Sequence, residues 1–348
     1  MPEFTTAEIE KRATFGAFFK RQLFGEPPVI SPTDIDLTGK TAIVTGGNTG
    51  IGFECCKQLL DLNLSKLIIA VRTVSKGEDA KKQLLLSRNS RGGNAKSQIE
   101  VTKLDLSSYD SITSFVEYTK TLDRLDIVIN NAGVCKRTFE LDLRTGHEES
   151  VQVNHIGNSL LIILLLPVLQ EKNSPTHPGR ISFVNSDTPA WAKFKEQKST
   201  PLLPAFDKPK SFDFQDRYGT SKLLGQLFLS ELAKRIPASV AVVNACNPGL
   251  CKSGLDREFR GSIAGYAAQF MQLLLARKSS VGARSLVDSV VNYGAASHGQ
   301  YIEDGKVAAM APFVYKPQGQ KIAKQLWRET MDELSFARVE DIVKGLSK

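Results

Sequence analysis

The sequence predicts an α/β protein with one doubly wound parallel sheet and helices on both faces. Three observations carry the prediction. Short apolar or β-branched runs alternate with longer helical patterns along most of the chain. Those runs are apolar nearly throughout, as expected of strands buried on both faces. A glycine-rich turn joins the first run to the first helical pattern, the usual start of a βα unit. With 348 residues, 41% hydrophobic and 24% charged, the chain can bury a sizeable core, and disorder, collagen and coiled coil are poor descriptions of it.

Each element follows in order. Residues 41–45 (TAIVT) form the first strand and 51–62 the first helix. Strand 67–71 (LIIAV) precedes helix 75–86, which runs into the polar SRNSRGGNAKS. Strand 99–104, helix 108–122, strand 125–129 and a long helix over 146–170 come next. Strand 180–184, helix 216–235 and strand 240–245 complete the alternation. Three segments break the rhythm. Residues 1–37 are an amphipathic N-terminal extension ending in GEPPVISPTD; residues 187–215 are a long insertion with four prolines; residues 312–348 are a partly helical tail. A loop as long as 187–215 inside a compact domain reads as a lid or substrate wall. Residues 38–311 are then one sheet domain, with appendages at both ends.

Composition narrows the function. The apolar stretch from Leu160 to Leu169 is shorter than the roughly 20 residues a bilayer demands. The first 30 residues alternate Phe, Arg, Lys and Glu, which is not an export signal, and a cytoplasmic location is expected. The five cysteines are odd in number and form no CxxC or Cys/His cluster, so reduced thiols are expected and neither a disulfide framework nor a metal site. The net charge of +8 comes without a dense basic run with interleaved aromatics, so nucleic acid is not an expected partner. Residues 1–25 could lie on a membrane surface, but packing onto the body is at least as good a reading. The apolar helices at 156–169 and 223–232 serve either as core or as a homodimer interface, with a slight lean to a dimer.

Several short motifs bear chemistry. Thr45-Gly46-Gly47-Asn48-Thr49-Gly50-Ile51-Gly52 follows a strand and opens a helix. Glycines there let the backbone approach a pyrophosphate, whose charge a helix N-terminus favours; a tight structural turn is the plain alternative. At the end of strand two, where an NAD site usually carries an acid, stand Arg72 and Lys76. Two cations suit a 2′-phosphate, which favours NADP(H) over NAD(H). Asp105 could accept from an adenine amino group with Leu106 beside the ring, or could cap the helix starting near Ser108. Asn130-Asn131-Ala132-Gly133 ends strand four, at the sheet edge where such folds bind ligands. Tyr218 and Lys222 share one helix face, and a cationic Lys222 should draw the phenol down from its usual value near 10. Tyr218 could then act as acid or base at a carbonyl or alcohol oxygen. Ser186 directly after strand five can hydrogen-bond the same oxygen, and Asn154 inside the long helix suits a relay to Lys222.

Taken together, Thr45–Gly52, Asn130–Gly133, Asn154, Ser186, Tyr218-x-x-x-Lys222 and Asn247-Pro248-Gly249 resemble the short-chain dehydrogenase/reductase family over roughly residues 38–255. AVRTVSKGE and YGTSKLLGQLF resemble its retinol dehydrogenase-like branch, and FFKRQLFGEPP and NPGLCKSGL are similar to fungal members linked to secondary metabolism. The resemblance implies a Rossmann-type sheet of order 3-2-1-4-5-6-7. It implies that Gly46, Gly50, Ile51 and Gly52, with Asn48 in the same loop, hold the pyrophosphate and neighbouring ribose. Arg72 and Lys76 would face the 2′-phosphate, Asp105 and Leu106 the adenine, and Asn131, Ala132 and Gly133 the adenosine ribose. Tyr218 would be the acid/base; Lys222 would also bind the nicotinamide ribose, and Pro248 and Gly249 would flank the nicotinamide. Ser253 stands where the family prefers Thr, and the gap from Ser186 to Tyr218 is long for the family.

The implied activity is NADP(H)-dependent hydride transfer to or from a hydrophobic ketone or alcohol, with Ser186, Tyr218, Lys222 and Asn154 as the catalytic set. The pocket would be lined by apolar residues of 187–215 and 250–275, including Trp191, Phe194 and Phe206. The competing reading is a non-catalytic NADP(H) sensor or scaffold, which would have no need of Ser186, Tyr218 and Lys222 together. A serine hydrolase is a poor reading, because no GxSxG elbow occurs and no His follows Ser186 in a convincing context.

Overall fold

The computed structural model describes residues 4–89, 97–252, 254 and 275–347. Its sheet has eight strands: β1 Thr41–Thr45, β2 Lys66–Val71, β3 Gln98–Lys103, β4 Ile127–Asn130, β5 Gly179–Val184, β6 Ala241–Asn247, β7 Tyr301–Glu303 and β8 Lys306–Ala308. They lie in the order 3-2-1-4-5-6-7-8. All neighbours are parallel except β7 and β8, which pair antiparallel. The expected order therefore holds, and β8 extends it by a hairpin. Asp304 and Gly305 turn that hairpin with φ of 47° and 73°. Two positive φ values are what a type I′ turn requires, and Asp-Gly meets them.

The described helices of more than one turn are α1 Thr6–Arg12, α2 Phe15–Phe24, α3 Gly50–Asp61, α4 Val74–Asn89, α5 Tyr109–Lys120, α6 Glu149–Lys172, α7 Phe214–Leu232, α8 Ser279–Val291, α9 Pro317–Glu333 and α10 Val339–Leu346. Strand side chains alternate between the two faces of the sheet. Ala42 and Val44 of β1 pack with α3 and α8, whereas Ile43 packs with α5, α6 and α7. The C-terminal α9 and α10 join that second layer through Leu326, Trp327, Val339 and Val343. Trp327 stacks on Phe228 of α7 at 5.5 Å.

By length and composition α6 could cross a membrane, but 83% of its apolar window is buried inside the protein. A helix apolar all round belongs in a core. Leu160, Leu161, Ile163, Leu165 and Leu166 are fully buried, each contributing roughly 1.5–3 kcal/mol. The apolar stretches at 156–169 and 223–232 are thus core within one chain, and their character needs no second copy to explain it. Near its start α6 widens into a π-turn over Gln152–Gly157. Such wide turns often mark functional sites, and this one carries Asn154.

The N-terminal α1 and α2 pack onto the body. Arg12 pairs with Glu303 at 2.6 Å and Arg21 with Asp187 at 2.8 Å. Trp191 donates through Nε1 to the Ala13 carbonyl at 2.7 Å.

Candidate active site

A cavity of about 460 Å³ opens at the carboxyl ends of β1, β2, β4, β5 and β6. Open α/β sheets bind ligands at this edge, and the volume falls in the range of small-molecule sites. Its floor is the turn after β1. A Cβ on Gly52 would meet the Gly46 carbonyl and Asn131 Nδ2, both at 2.5 Å. Asn131 Nδ2 donates to Thr45 O at 2.9 Å, and Ala132 N donates to Thr45 Oγ1 at 2.8 Å. The loop after β4 is thereby stitched to the glycine turn, and Asn131 spends its amide on that stitch. Thr49 precedes α3 without a side-chain cap, so the first-turn N–H groups of α3 face the cavity with Asn48, Gly50 and Ile51 in its lining. An anion fits there.

Arg72 and Lys76 line the far end of the cavity, exposed and without an ion-pair partner among the described residues. Asp105 and Leu106 line it too. The helix-cap alternative for Asp105 fails: Ser108 caps α5 by accepting from Ser111 N. Asp105 instead accepts from Ser107 N and Oγ, and Arg144 approaches its other oxygen at 3.3 Å. Ala132, Gly133, Pro248 and Gly249 close the opposite side. Ser253 lies outside the described residues.

Ser186, Tyr218 and Lys222 meet in the cavity wall. α7 holds Tyr218 and Lys222 one turn apart, and Lys222 Nζ lies 5.7 Å from the Tyr218 ring centre. Nζ donates to the Val184 carbonyl at 2.8 Å, and Asn185 Nδ2 donates to the Lys222 carbonyl at 2.9 Å. The end of β5 and α7 are so fixed to each other. Ser186 Oγ accepts from Thr188 N at 3.2 Å and lies at hydrogen-bond reach of the Tyr218 phenol.

Asn154 sits behind this group rather than in the cavity wall. Its Oδ1 accepts from Val134 N at 2.9 Å, and its Nδ2 donates to Val134 O at 2.8 Å and to Ser221 Oγ at 2.9 Å. A Cβ on Gly133 would touch both Asn154 Oδ1 at 3.0 Å and Lys222 Nζ at 3.4 Å. Asn154 thus holds the backbone that separates it from Lys222.

The electrostatics run against one expectation. Burial pushes the Tyr218 phenol up from its ordinary value, with Cys135 adding to the rise and the hydrogen bond from Ser186 drawing the other way. The net shift is upward despite the nearby ammonium, and burial brings Lys222 itself to about 8. The reason is desolvation, which disfavours both charged forms at once in a cavity walled by apolar side chains. Tyr218 therefore rests with its proton on.

The substrate wall also differs from expectation. Trp191 lines the cavity, but Phe194 and Phe206 are 1% and 0% exposed and stack on each other in the core. Of the 187–215 insertion, only Asp187, Thr188 and Trp191 reach the cavity. Among the lining residues that sequence reading did not assign are Cys135 and, from the N-terminal extension, Phe18. Neither belongs to a spaced motif.

Fold and site together define the class. The profile described as short chain dehydrogenase matches residues 40–192. The chain belongs to the short-chain dehydrogenase/reductase family of oxidoreductases. It is similar to the short-chain dehydrogenase fogG of Aspergillus ruber, 48% identical over 97% of each chain. It is similar also to the short chain dehydrogenase/reductase mfmJ of Annulohypoxylon moriforme, 43% identical over 94% of each. Among solved structures, the RhlG/NADP active-site complex of Pseudomonas aeruginosa shares the fold, with a TM-score of 0.59 and 23% identity over 78% of this chain and 96% of that one.

Proposed function

We propose that this protein is an NADP(H)-dependent, cytoplasmic reductase or dehydrogenase acting on a hydrophobic ketone or alcohol, in the setting of fungal secondary metabolism. The observation that carries the reading is Tyr218, Lys222 and Ser186 meeting in the wall of the same cavity whose floor is the Gly46–Gly52 turn. The glycine turn fits a pyrophosphate, because α3 starts there without a side-chain cap and Asn48, Gly50 and Ile51 line the cavity at that end. Arg72 and Lys76, without an ion-pair partner among the described residues, suit the 2′-phosphate. Asp105, Leu106, Ala132, Gly133, Pro248 and Gly249 line the same cavity, which supports their role in holding the rest of the dinucleotide, and the stitch made by Asn131 ties the loop after β4 to the glycine turn. The fungal sources of the relatives and the stretches FFKRQLFGEPP and NPGLCKSGL support the metabolic setting. Residues 38–311 are on this reading the catalytic unit, with the described residues of 1–37 and 312–348 packed onto it.

When bound, the nicotinamide supplies or accepts the hydride. In the reductive direction, Tyr218 gives its proton to the substrate oxygen and Ser186 donates a hydrogen bond to the same oxygen. The ammonium of Lys222 favours the phenolate left behind. Lys222 Nζ, anchored on Val184 O, keeps further protons toward Gly133 and Asn154, the side from which the phenol regains its own.

The test is NADPH consumption against a panel of apolar ketones, aromatic and alicyclic. Turnover with NADPH well above that with NADH is expected. Tight NADPH binding with no turnover across the panel would replace this reading with a cofactor sensor.

A further inference from the structure

The N-terminal extension does more than cover the body. α2 spans the mouth of the cavity and is locked to the loops on both of its sides. On the β5 side, Arg21 pairs with Asp187 at 2.8 Å, and Trp191 donates to Ala13 O at 2.7 Å. On the β6 side, Gln22 donates through Nε2 to Leu250 O at 2.8 Å and accepts from Leu250 N through Oε1 at 3.0 Å. Between these anchors α2 presents Phe18 to the cavity. Phe15 stacks on Trp191 with centroids 4.7 Å apart and planes 9° off parallel, which fixes the indole plane. Phe18 stands edge-on to the same indole at 5.3 Å and 89°. Phe18 and Trp191 thus form a rigid right-angled aromatic corner on the substrate side of Ser186.

Resting on the reductase reading above, we infer that this corner is a specificity subsite for a flat aromatic ring carried by the ketone or alcohol substrate, and that Phe18 is its selecting residue. A ring placed in the corner stacks on one wall and meets the other edge-on, the two arrangements aromatic quadrupoles favour. A saturated ring of the same size buries similar area but gains neither. Since the selecting side chain comes from α2, the extension is part of the active site.

The matched probes are 2-tetralone and 2-decalone, bicyclic ketones on one carbon skeleton that differ in having one ring aromatic. Their dissociation constants are measured by calorimetry on the full chain with NADP⁺ present, for the wild type, Phe18→Leu and Phe18→Ala. Phe18→Leu keeps apolar bulk and the fold of α2, so it stays informative if Phe18→Ala is poorly folded. The wild type should bind 2-tetralone about 3- to 10-fold more tightly than 2-decalone, and Phe18→Leu should erase that preference while leaving 2-decalone unchanged. Equal binding of the two ketones, binding of neither, or an equal loss for both in Phe18→Leu would overturn the inference. Wild-type turnover of the same ketones with NADPH separates the two claims: absence of any reduction sinks the reductase reading, whatever Phe18 does to binding.

Discussion

At the scale of single residues, burial sets where the protons of Tyr218 and Lys222 rest. Tyr218 is held up and Lys222 down by the same low-dielectric wall. Spacing made the Tyr218–Lys222 pair legible, and position after strands made Ser186 and Arg72 legible. The direction of the phenol's shift was not, because the wall that desolvates it comes from distant parts of the chain. Phe18 and Cys135 were unreadable for the same reason. Arg72 gives a test at this scale. Losing a charge-assisted hydrogen bond costs about 1.5–3 kcal/mol, or about 10- to 100-fold in affinity. Arg72→Ala should weaken NADPH binding by that factor and leave NADH within about twofold, as read by fluorescence titration. Equal losses for both cofactors would move the 2′-phosphate contact elsewhere.

At the scale of elements, strands β1 to β6 were legible because buried parallel strands are apolar runs. The β7–β8 hairpin was not picked out, although Asp304-Gly305 is a strong turn signal, because three-residue strands leave no periodicity to read. The partnership of α9 with the loop before α6 was invisible too. There His147 sits between Asp207 at 3.0 Å and Glu333 at 3.2 Å. Burial alone would lower this imidazole, but the two carboxylates raise it to about 9. Its folded value lies above the unfolded one near 6.5, so its contribution to stability is full below that pH and is lost as pH rises through about 9. Urea unfolding of the wild type and His147→Asn should show a stability gap at pH 6 that closes by pH 10. A gap that stays constant, or widens with pH, would remove His147 from this role.

At the scale of the whole molecule, the chain's two ends behave as parts of one body. The tail supplies core side chains, and the N-terminal helices reach the cavity through a buried cluster of charge. Arg12 and Arg21 face Asp187 and Glu303, whose side chains are 8% and 5% exposed. Asn247 donates to both carboxylates, at 2.9 Å and 2.6 Å. Composition along 1–37 showed an amphipathic segment but not its destination, because the partners lie more than 150 residues away. Removing one member of a buried pair leaves an uncompensated charge and typically costs about 3–5 kcal/mol. Arg12→Met should lower the unfolding free energy by about 3 kcal/mol, measured by urea denaturation; a change below about 1 kcal/mol would show that the cluster does not hold the extension in place.

The most direct measurement bears on the phenol. Reduction of an apolar ketone is followed by NADPH absorbance for the wild type and Tyr218→Phe, with NADPH affinity measured on both proteins. Loss of a general acid should lower kcat by about 10²-fold or more while NADPH binds as before. Near-native turnover in the phenylalanine variant would contradict the proton transfer on which the proposed mechanism rests.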